Sequence, residues 1–258
     1  MRKARRLKRR FQNGISIITC TNRPSFMENV FNNYLRQKLP WKELIIVLNS
    51  NQMKLYEWKK RAKYQKNIQV FQIDEKVSLG ECYNLAIKRV RYDYIAKFDD
   101  DDYYAPLYLK DAIKAFSNTD AHIVGKTCRF IYFEGLETLA LFPTVSESSY
   151  VKFVVGATMV IKKEVFNLVK FPDITAGEDS EFEKRCIEEG FKIYAMNRRN
   201  YVTIRRESKD SHTYKLDDLT YLKTCEEFCR TNNYIDLITG NNYELFFTRD
   251  EFVLSSCP

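Results

Sequence analysis

Four adjacent aspartates, Asp99-Asp100-Asp101-Asp102, stand between Phe98 and the pair Tyr103-Tyr104. Like charges at neighbouring positions repel, so a folded chain keeps four of them only where solvent or a cation relieves the repulsion. The run follows an apolar stretch, Tyr94 to Phe98, that reads as a buried strand, and Pro106 comes just after it. Alternate residues of an extended segment point the same way, so Asp99 and Asp101 address one ion together, with Asp100 or Asp102 turned elsewhere. An all-oxygen set suits Mg²⁺ or Mn²⁺, and Mg²⁺ keeps waters and takes further ligands from phosphates. An acidic rim with a divalent ion is chemistry for holding a diphosphate.

A second acidic pair, Glu178-Asp179, follows Thr175-Ala176-Gly177 and opens a helical stretch. Carboxylates in a first turn complement the helix dipole, worth under about 1 kcal/mol. The preceding glycine permits close approach of another chain or a substrate. A carboxylate placed there is also suited to act as a general base toward a hydroxyl. Arg205 and Arg206 follow the strand Tyr201 to Ile204 and are either a solvated pair or a counter-charge for a leaving diphosphate.

The elements that must position these groups alternate. Ile15 to Cys20, Leu44 to Leu48, Ile68 to Ile73 and Tyr94 to Phe98 are short apolar runs, the first three rich in β-branched residues, and they predict strands. Helical spacing separates them, through Phe26, Val30, Phe31, Tyr34 and Leu35, then over about 52–65, then through Leu79, Tyr83, Ala86, Ile87 and Val90. Strands alternating with helices imply an α/β fold with a mainly parallel central sheet and helices on both faces. Ligands on such sheets bind beyond the carboxyl ends of the strands, which places Thr19 to Arg23, Leu48 to Ser50, Asp74-Glu75 and Asp99 to Asp102 on one rim. Further along, Ala121 to Phe133 and Leu139 to Phe142 predict a hairpin around Glu134-Gly135, and Val151 to Ile161 is broken by Gly156-Ala157-Thr158. Glu178 to Gly190 predicts a helix stopped by its glycine, and Leu216 to Arg230 a further helix.

The chain has 258 residues, enough for one large domain or two small ones with a sizeable core. Its 42 Lys and Arg exceed 34 Asp and Glu, for a net charge of +8. Seven of the positives, Arg2, Lys3, Arg5, Arg6, Lys8, Arg9 and Arg10, fall in the first ten residues; removing those seven from +8 leaves +1 for the rest. A whole-surface nucleic-acid binder is therefore disfavoured. The basic segment suits an anionic membrane surface or remains solvated. Seven scattered cysteines without a CxxC pair, beside His122 and His212 alone, argue against structural zinc and for reduced thiols. No apolar run is long enough for a transmembrane helix and no apolar region of a secretory signal follows the basic start. The expected location is cytoplasmic, with peripheral contact at the inner face of the membrane.

Together these segments resemble the inverting glycosyltransferase family 2 with its GT-A fold. The resemblance runs over roughly residues 14–205 and rests on ISIITCTNR at 15–23, on LGECYNLAIKRVRYDYIAKFDDDD at 79–102, and on Gly177-Glu178-Asp179 with Arg185 downstream. It implies transfer of a sugar from a nucleotide-diphosphate donor, with UDP the commonest leaving group, to a carbohydrate, lipid-linked or protein acceptor, in cell-surface or envelope glycan synthesis. Asp101 would coordinate Mn²⁺ or Mg²⁺, with Asp99 toward the metal or the ribose and Asp100 in the donor site. Thr19, Thr21 and Arg23 would line the nucleotide pocket, and Asn84 would sit near the base or ribose. Asp179 would be the catalytic base, Glu178 would help bind the acceptor, and Gly156 would shape the acceptor and sugar site. The family often closes its second strand with an acidic residue; Leu48-Asn49-Ser50 stands here, so Asn49 would substitute, with Asp74 or Glu75 as further contributors. His212 would touch the diphosphate or metal, or is an ordinary surface residue. The expected organisation is a basic tail over 1–12, a catalytic domain over 13–210 and a C-terminal helical extension over 211–258. Three competing readings are a non-catalytic binding module, a nucleotidyltransferase and a retaining transferase. The second normally needs a glycine-rich phosphate loop that Thr19 to Pro24 lacks.

Overall fold

The computed structural model describes residues 14–142, 146–206, 216–225 and 227–240. The first half alternates as its apolar periodicity predicts: β1 (Ile15–Thr21), α1 (Met27–Arg36), β2 (Lys42–Leu48), α2 (Leu55–Ala62), β3 (Ile68–Gln72), α3 (Leu79–Ile87) and β4 (Tyr94–Lys97). There follow β5 (Tyr103–Tyr104), α4 (Tyr108–Asn118), β6 (Ile123–Gly125), β7 (Arg129–Phe133), β8 (Thr138–Phe142), β9 (Ser149–Val151) and β10 (Val160–Lys162). The rest comprises α5 (Glu178–Glu188), β11 (Ile193–Ala195), β12 (Tyr201–Arg205), α6 (Asp218–Leu222), β13 (Glu227–Arg230) and α7 (Tyr234–Thr239).

Eight strands form the central sheet in the order β3-β2-β1-β4-β10-β6-β11-β9. β3, β2, β1 and β4 run parallel, so their carboxyl ends share one rim. β10 enters antiparallel between β4 and β6. Every residue of β1 and β2 from Leu44 to Leu48 and from Ile15 to Ile18 is buried, because both faces are covered. Alternation divides them: Ile17, Leu44, Ile46 and Leu48 pack with Phe31, Trp58 and Tyr108 of α1, α2 and α4. Ile18, Ile45 and Val47 pack on the other face with Cys82 and Tyr83 of α3 and Phe182 and Cys186 of α5.

A second sheet, β13-β8-β7-β12-β5, stands beside the first. β7 and β8 form the expected hairpin, joined by a short 3₁₀ turn over Glu134–Leu136, but its first arm is Arg129–Phe133 alone, since Ile123–Gly125 is β6 of the central sheet. The four aspartates join the two sheets: the chain leaves the central sheet at Lys97 and enters the second at Tyr103, which pairs with Val202. The expectation of one helix over Leu216 to Arg230 is corrected. Among the described residues of that stretch only Asp218–Leu222 is helical, and Glu227–Arg230 extends along β8 as an edge strand. The free edge of β8 outweighs the local helical spacing. Among the described residues, the segment after 210 is therefore helix, strand and helix rather than a helical extension, and α7 docks through the Asn200 N–H donated to the Ile238 carbonyl. No helix among the described residues is long and apolar enough to cross a membrane.

Candidate active site

Each aspartate of the run has a different environment. Phe98 anchors the start: it is buried and stacks on Tyr104 with ring centroids 3.7 Å apart. Tyr104 Oη accepts the Asp99 N–H at 2.8 Å and donates to the Ala157 carbonyl at 2.7 Å, tying the aspartate turn to the Gly156 segment. Asp100 turns inward, where Thr21 Oγ1 donates to it and Arg23 Nε reaches it at 3.1 Å. Arg23 Nη2 also lies 2.9 Å from Asp101. Asp102 is buried, accepting from Tyr201 Oη and from the Ile204 N–H at 3.1 Å. From α1, Asn29 donates to the Asp100 and Asp102 carbonyls at 2.7 and 2.9 Å, and Asn33 to that of Asp102 at 2.8 Å.

Carboxylate oxygens of Asp99, Asp101 and Asp102 all lie within 4.8 Å of one another. Burial, and then the neighbouring carboxylates, raise all three above the ordinary aspartate range, Asp101 to about 6. Crowded oxygen donors that resist carrying their charges together fit a hard divalent cation, which would relieve the repulsion.

On the facing side, α5 begins at Gly177, whose φ of 80° is left-handed. No part of the described chain packs closely on Gly177, since a β-carbon there would meet nothing within 4 Å; the glycine serves the left-handed backbone conformation. Gly156 is the position of close approach. A β-carbon there would fall 1.7 Å from Asp179 Oδ2, so the bare backbone makes room for the carboxylate.

Lys97, only 5 % exposed, sits beneath the acidic groups. Its Nζ is 2.6 Å from Asp179 Oδ2, 3.5 Å from Glu178 Oε1 and 3.8 Å from Asp99 Oδ1. Burial alone would lower its pKa, but Asp179, Asp99 and Glu178 outweigh burial and hold it above the ordinary lysine value. Glu178 is pushed up by burial and then by Asp179. With Oδ2 of Asp179 on the lysine, its Oδ1 is buried without a hydrogen-bond partner.

A cavity of about 540 Å³ joins these groups. Asp99, Asp101, Gly156, Ala157 and Asp179 contribute to its lining, as do Arg129, Phe142, Thr203, Arg205, Tyr221 and Thr224 from the second sheet and α6 with its following turn. The predicted residues Asp99, Asp101, Gly156 and Asp179 thus meet, with Glu178 beside them on Lys97. Thr21, Arg23 and Asp100 form the bracing cluster described above, and Thr19 is buried in β1.

Two expected nucleotide contacts have other engagements. Asn84 donates to the Phe171 carbonyl at 2.9 Å and accepts its N–H at 3.1 Å, which locks α3 to the chain leading to α5. Asn49 donates to the Asp74 and Val77 carbonyls at 2.9 and 3.2 Å, so its amide nitrogen fastens the end of β2 to the next loop. Asp74 and Glu75 both contact Asn51, at 3.4 and 3.2 Å. Arg205 pairs with Asp218 at 2.9 Å, and Arg206 donates to the Asp101 carbonyl at 3.0 Å. His212 and the basic tail lie outside the described residues. Sequence reasoning missed Lys97, Asn29, Asn33, Tyr201 and Arg129. Lys97 alone carried a signal, a charge inside an otherwise apolar strand.

Carboxylates past the end of the fourth parallel strand, faced across a cavity by an acidic helix start, belong to a GT-A glycosyltransferase fold. The chain belongs to glycosyl transferase family 2, whose model matches residues 16–165. That match includes the aspartate run and Gly156 but ends before Asp179. Among solved structures it is similar to S. aureus TarS 1-349, with 16% identity, 74% of this chain and 60% of that one covered, and a TM-score of 0.56. It is also similar to TarS 1-349 in complex with UDP-GlcNAc, at 17% identity, coverage of 78% and 62%, and a TM-score of 0.59. For TarS 1-349 in complex with UDP the values are 16%, 74% and 60%, and 0.57. The chain spans about 60% of the length of these TarS 1-349 chains, and no curated protein matches it.

Proposed function

We propose that this protein is a glycosyltransferase that moves a sugar from a nucleotide-diphosphate donor, a UDP-sugar in first place, to an acceptor hydroxyl with inversion at the anomeric carbon. The carrying observation is that Asp179 lines the same cavity as Asp99 and Asp101 while one of its oxygens is held by Lys97 and the other has no hydrogen-bond donor. In this reading Asp179 takes the acceptor hydroxyl proton as that oxygen bonds to the anomeric carbon. The bond from that carbon to the diphosphate breaks with its electron pair staying on the diphosphate. A single displacement inverts the centre. Lys97 orients Asp179 through its 2.6 Å contact. Gly156 leaves room for the carboxylate.

Asp99, Asp101 and Asp102 would hold Mn²⁺ or Mg²⁺, which supplies Lewis-acid stabilisation of the leaving diphosphate when bound. The choice of UDP is supported by the similar TarS structures, which hold UDP-GlcNAc and UDP. The acceptor is a carbohydrate, lipid-linked or protein hydroxyl in envelope or cell-surface glycan synthesis. Residues 1–10 would bring the enzyme to an anionic membrane surface from the cytoplasmic side.

Calorimetric titration of UDP, GDP, CDP and dTDP, each with and without Mn²⁺, tests the donor. Metal-dependent binding of UDP that Asp101→Ala abolishes is the expected result. A folded protein that binds none of the four overturns the donor assignment, and a retained anomeric configuration in the product overturns inversion.

A further inference from the structure

The cavity wall away from the carboxylates holds an arginine that the transfer chemistry does not use. Arg129 opens β7. Its guanidinium lies over Phe142 at 4.5 Å, and its Nη2 donates to Tyr221 Oη at 3.0 Å. Its Nε is buried and has no hydrogen-bond partner. No carboxylate among the described residues pairs with it, whereas the neighbouring cavity arginine, Arg205, is paired with Asp218. The guanidinium is only partly buried, but its buried Nε lacks a hydrogen-bond acceptor, which an arriving anion would supply. An oriented guanidinium fork matches a carboxylate or phosphate in two parallel hydrogen bonds.

We propose that the acceptor carries an acidic group, phosphate or carboxylate, and that Arg129 binds it from the second-sheet wall of the cavity. The inference rests on the transferase reading above. The rest of the lining points the same way. In this reading the aspartate trio is taken by the metal and the donor diphosphate, and Asp179 repels an anion, so an acidic acceptor group is directed to Arg129. The donor diphosphate is assigned to the aspartate trio at the rim of the central sheet, which leaves the wall formed by β7, β8 and α6 for the acceptor. An acidic group fixed there orients the acceptor for presenting its hydroxyl toward Asp179.

The test compares glucose, glucose 6-phosphate and glucuronate as probes on the full chain, by calorimetry, with UDP and Mn²⁺ present and again without them. The expected result is that at least one acidic sugar binds about ten-fold or more tighter than glucose, and that Arg129→Gln removes this preference. Which acidic sugar is preferred separates phosphate from carboxylate. Arg129→Lys, which keeps the charge but not the fork, retains part of the preference, and Tyr221→Phe reduces it by loosening the guanidinium. Equal binding of the three sugars by the wild type, including no binding by any, overturns the proposal, as does a preference that survives in folded Arg129→Gln. UDP-glucose and UDP-glucuronate form the control pair. If Arg129→Gln weakens only the latter, the acidic group belongs to the donor and the acceptor assignment is overturned. Failure of UDP to bind with Mn²⁺ would count against the donor reading, while the sugar comparison without nucleotide still reports on Arg129.

Discussion

Gly156 lies so close to Asp179 that no side chain larger than hydrogen fits between them: a β-carbon would stand 1.7 Å from Oδ2 and 2.3 Å from Cγ. The glycine is therefore part of how the carboxylate is placed. Gly156→Ala must push Asp179 off Lys97 or move the 3₁₀ turn that begins at Gly156. Misplacement of this size in a reacting geometry lowers rate on the order of 100-fold. The expected outcome is a loss of that order in kcat for sugar transfer, with UDP affinity near the wild-type value. A Gly156→Ala enzyme working at full rate would show that Asp179 need not occupy the observed position.

The chain order of β1 to β4 and α1 to α3 was legible because each strand is a short apolar run and each helix keeps one apolar face. The meeting of Asp99 with Asp101 matches the expectation, but not through an extended period: residues 100–102 form bends, Asp100 turns inward, and Asp102 joins the same group. What escaped depends on contacts distant in sequence. Lys97 meets Asp179 across 82 positions, and Asn33 meets Asp102 across 69. The edge strand at Glu227–Arg230 exists only because β8 offers it a partner. Asn84 is a further case, a polar residue of the motif whose amide is engaged by a backbone segment 87 positions away. The functional-looking polarity was visible, but its partner was not.

Lys97 is the counter-charge for three carboxylates, so its removal should be costly. Lys97→Met keeps the bulk and deletes the charge, leaving Asp179, Glu178 and Asp99 to repel one another. Breaking a buried pair on one side costs about 3–5 kcal/mol, and a lower value within that range is expected because Asp179 retains some exposure. Urea unfolding measures the loss. The double variant Lys97→Met with Asp179→Asn should recover much of it, since the second change removes the charge that the first left unmatched. Equal losses in the single and double variants would mean that the lysine stabilises by packing alone.

Metal binding should depend on pH through Asp101. Burial, and then the charges of Asp100 and Asp99, push its pKa up to about 6 against the pull of Arg23. A proton and a metal ion compete for this carboxylate. Above about 6 the carboxylate is ionised and Mn²⁺ binds; as pH falls below that value, affinity declines. Thermal unfolding with and without Mn²⁺ from pH 5 to 8 reads this directly, as a stabilisation that shrinks toward the acid end. Asp101→Ala should show little Mn²⁺ stabilisation at any pH. A pH-independent Mn²⁺ effect would remove Asp101 from the metal site.

Glu183 lies one helical turn beyond Asp179, buried, with Oε1 accepting the Val154 N–H at 2.7 Å. Burial pushes its pKa from 4.5 up to about 8, and the charge of Asp179 adds to the rise. An acid whose folded-state pKa is raised holds its proton in the fold after the unfolded chain has released it. Folding then loses stability as pH climbs from about 4.5, and the loss is complete only above about 8. Glu183→Gln keeps an oxygen for Val154 and cannot ionise. The variant should match the wild type near pH 4.5 and exceed it progressively toward pH 8, by about 4 kcal/mol. Urea unfolding at several pH values supplies the comparison. A variant that is less stable than the wild type at pH 8 would mean that the carboxylate is ionised and usefully paired there, contrary to its burial.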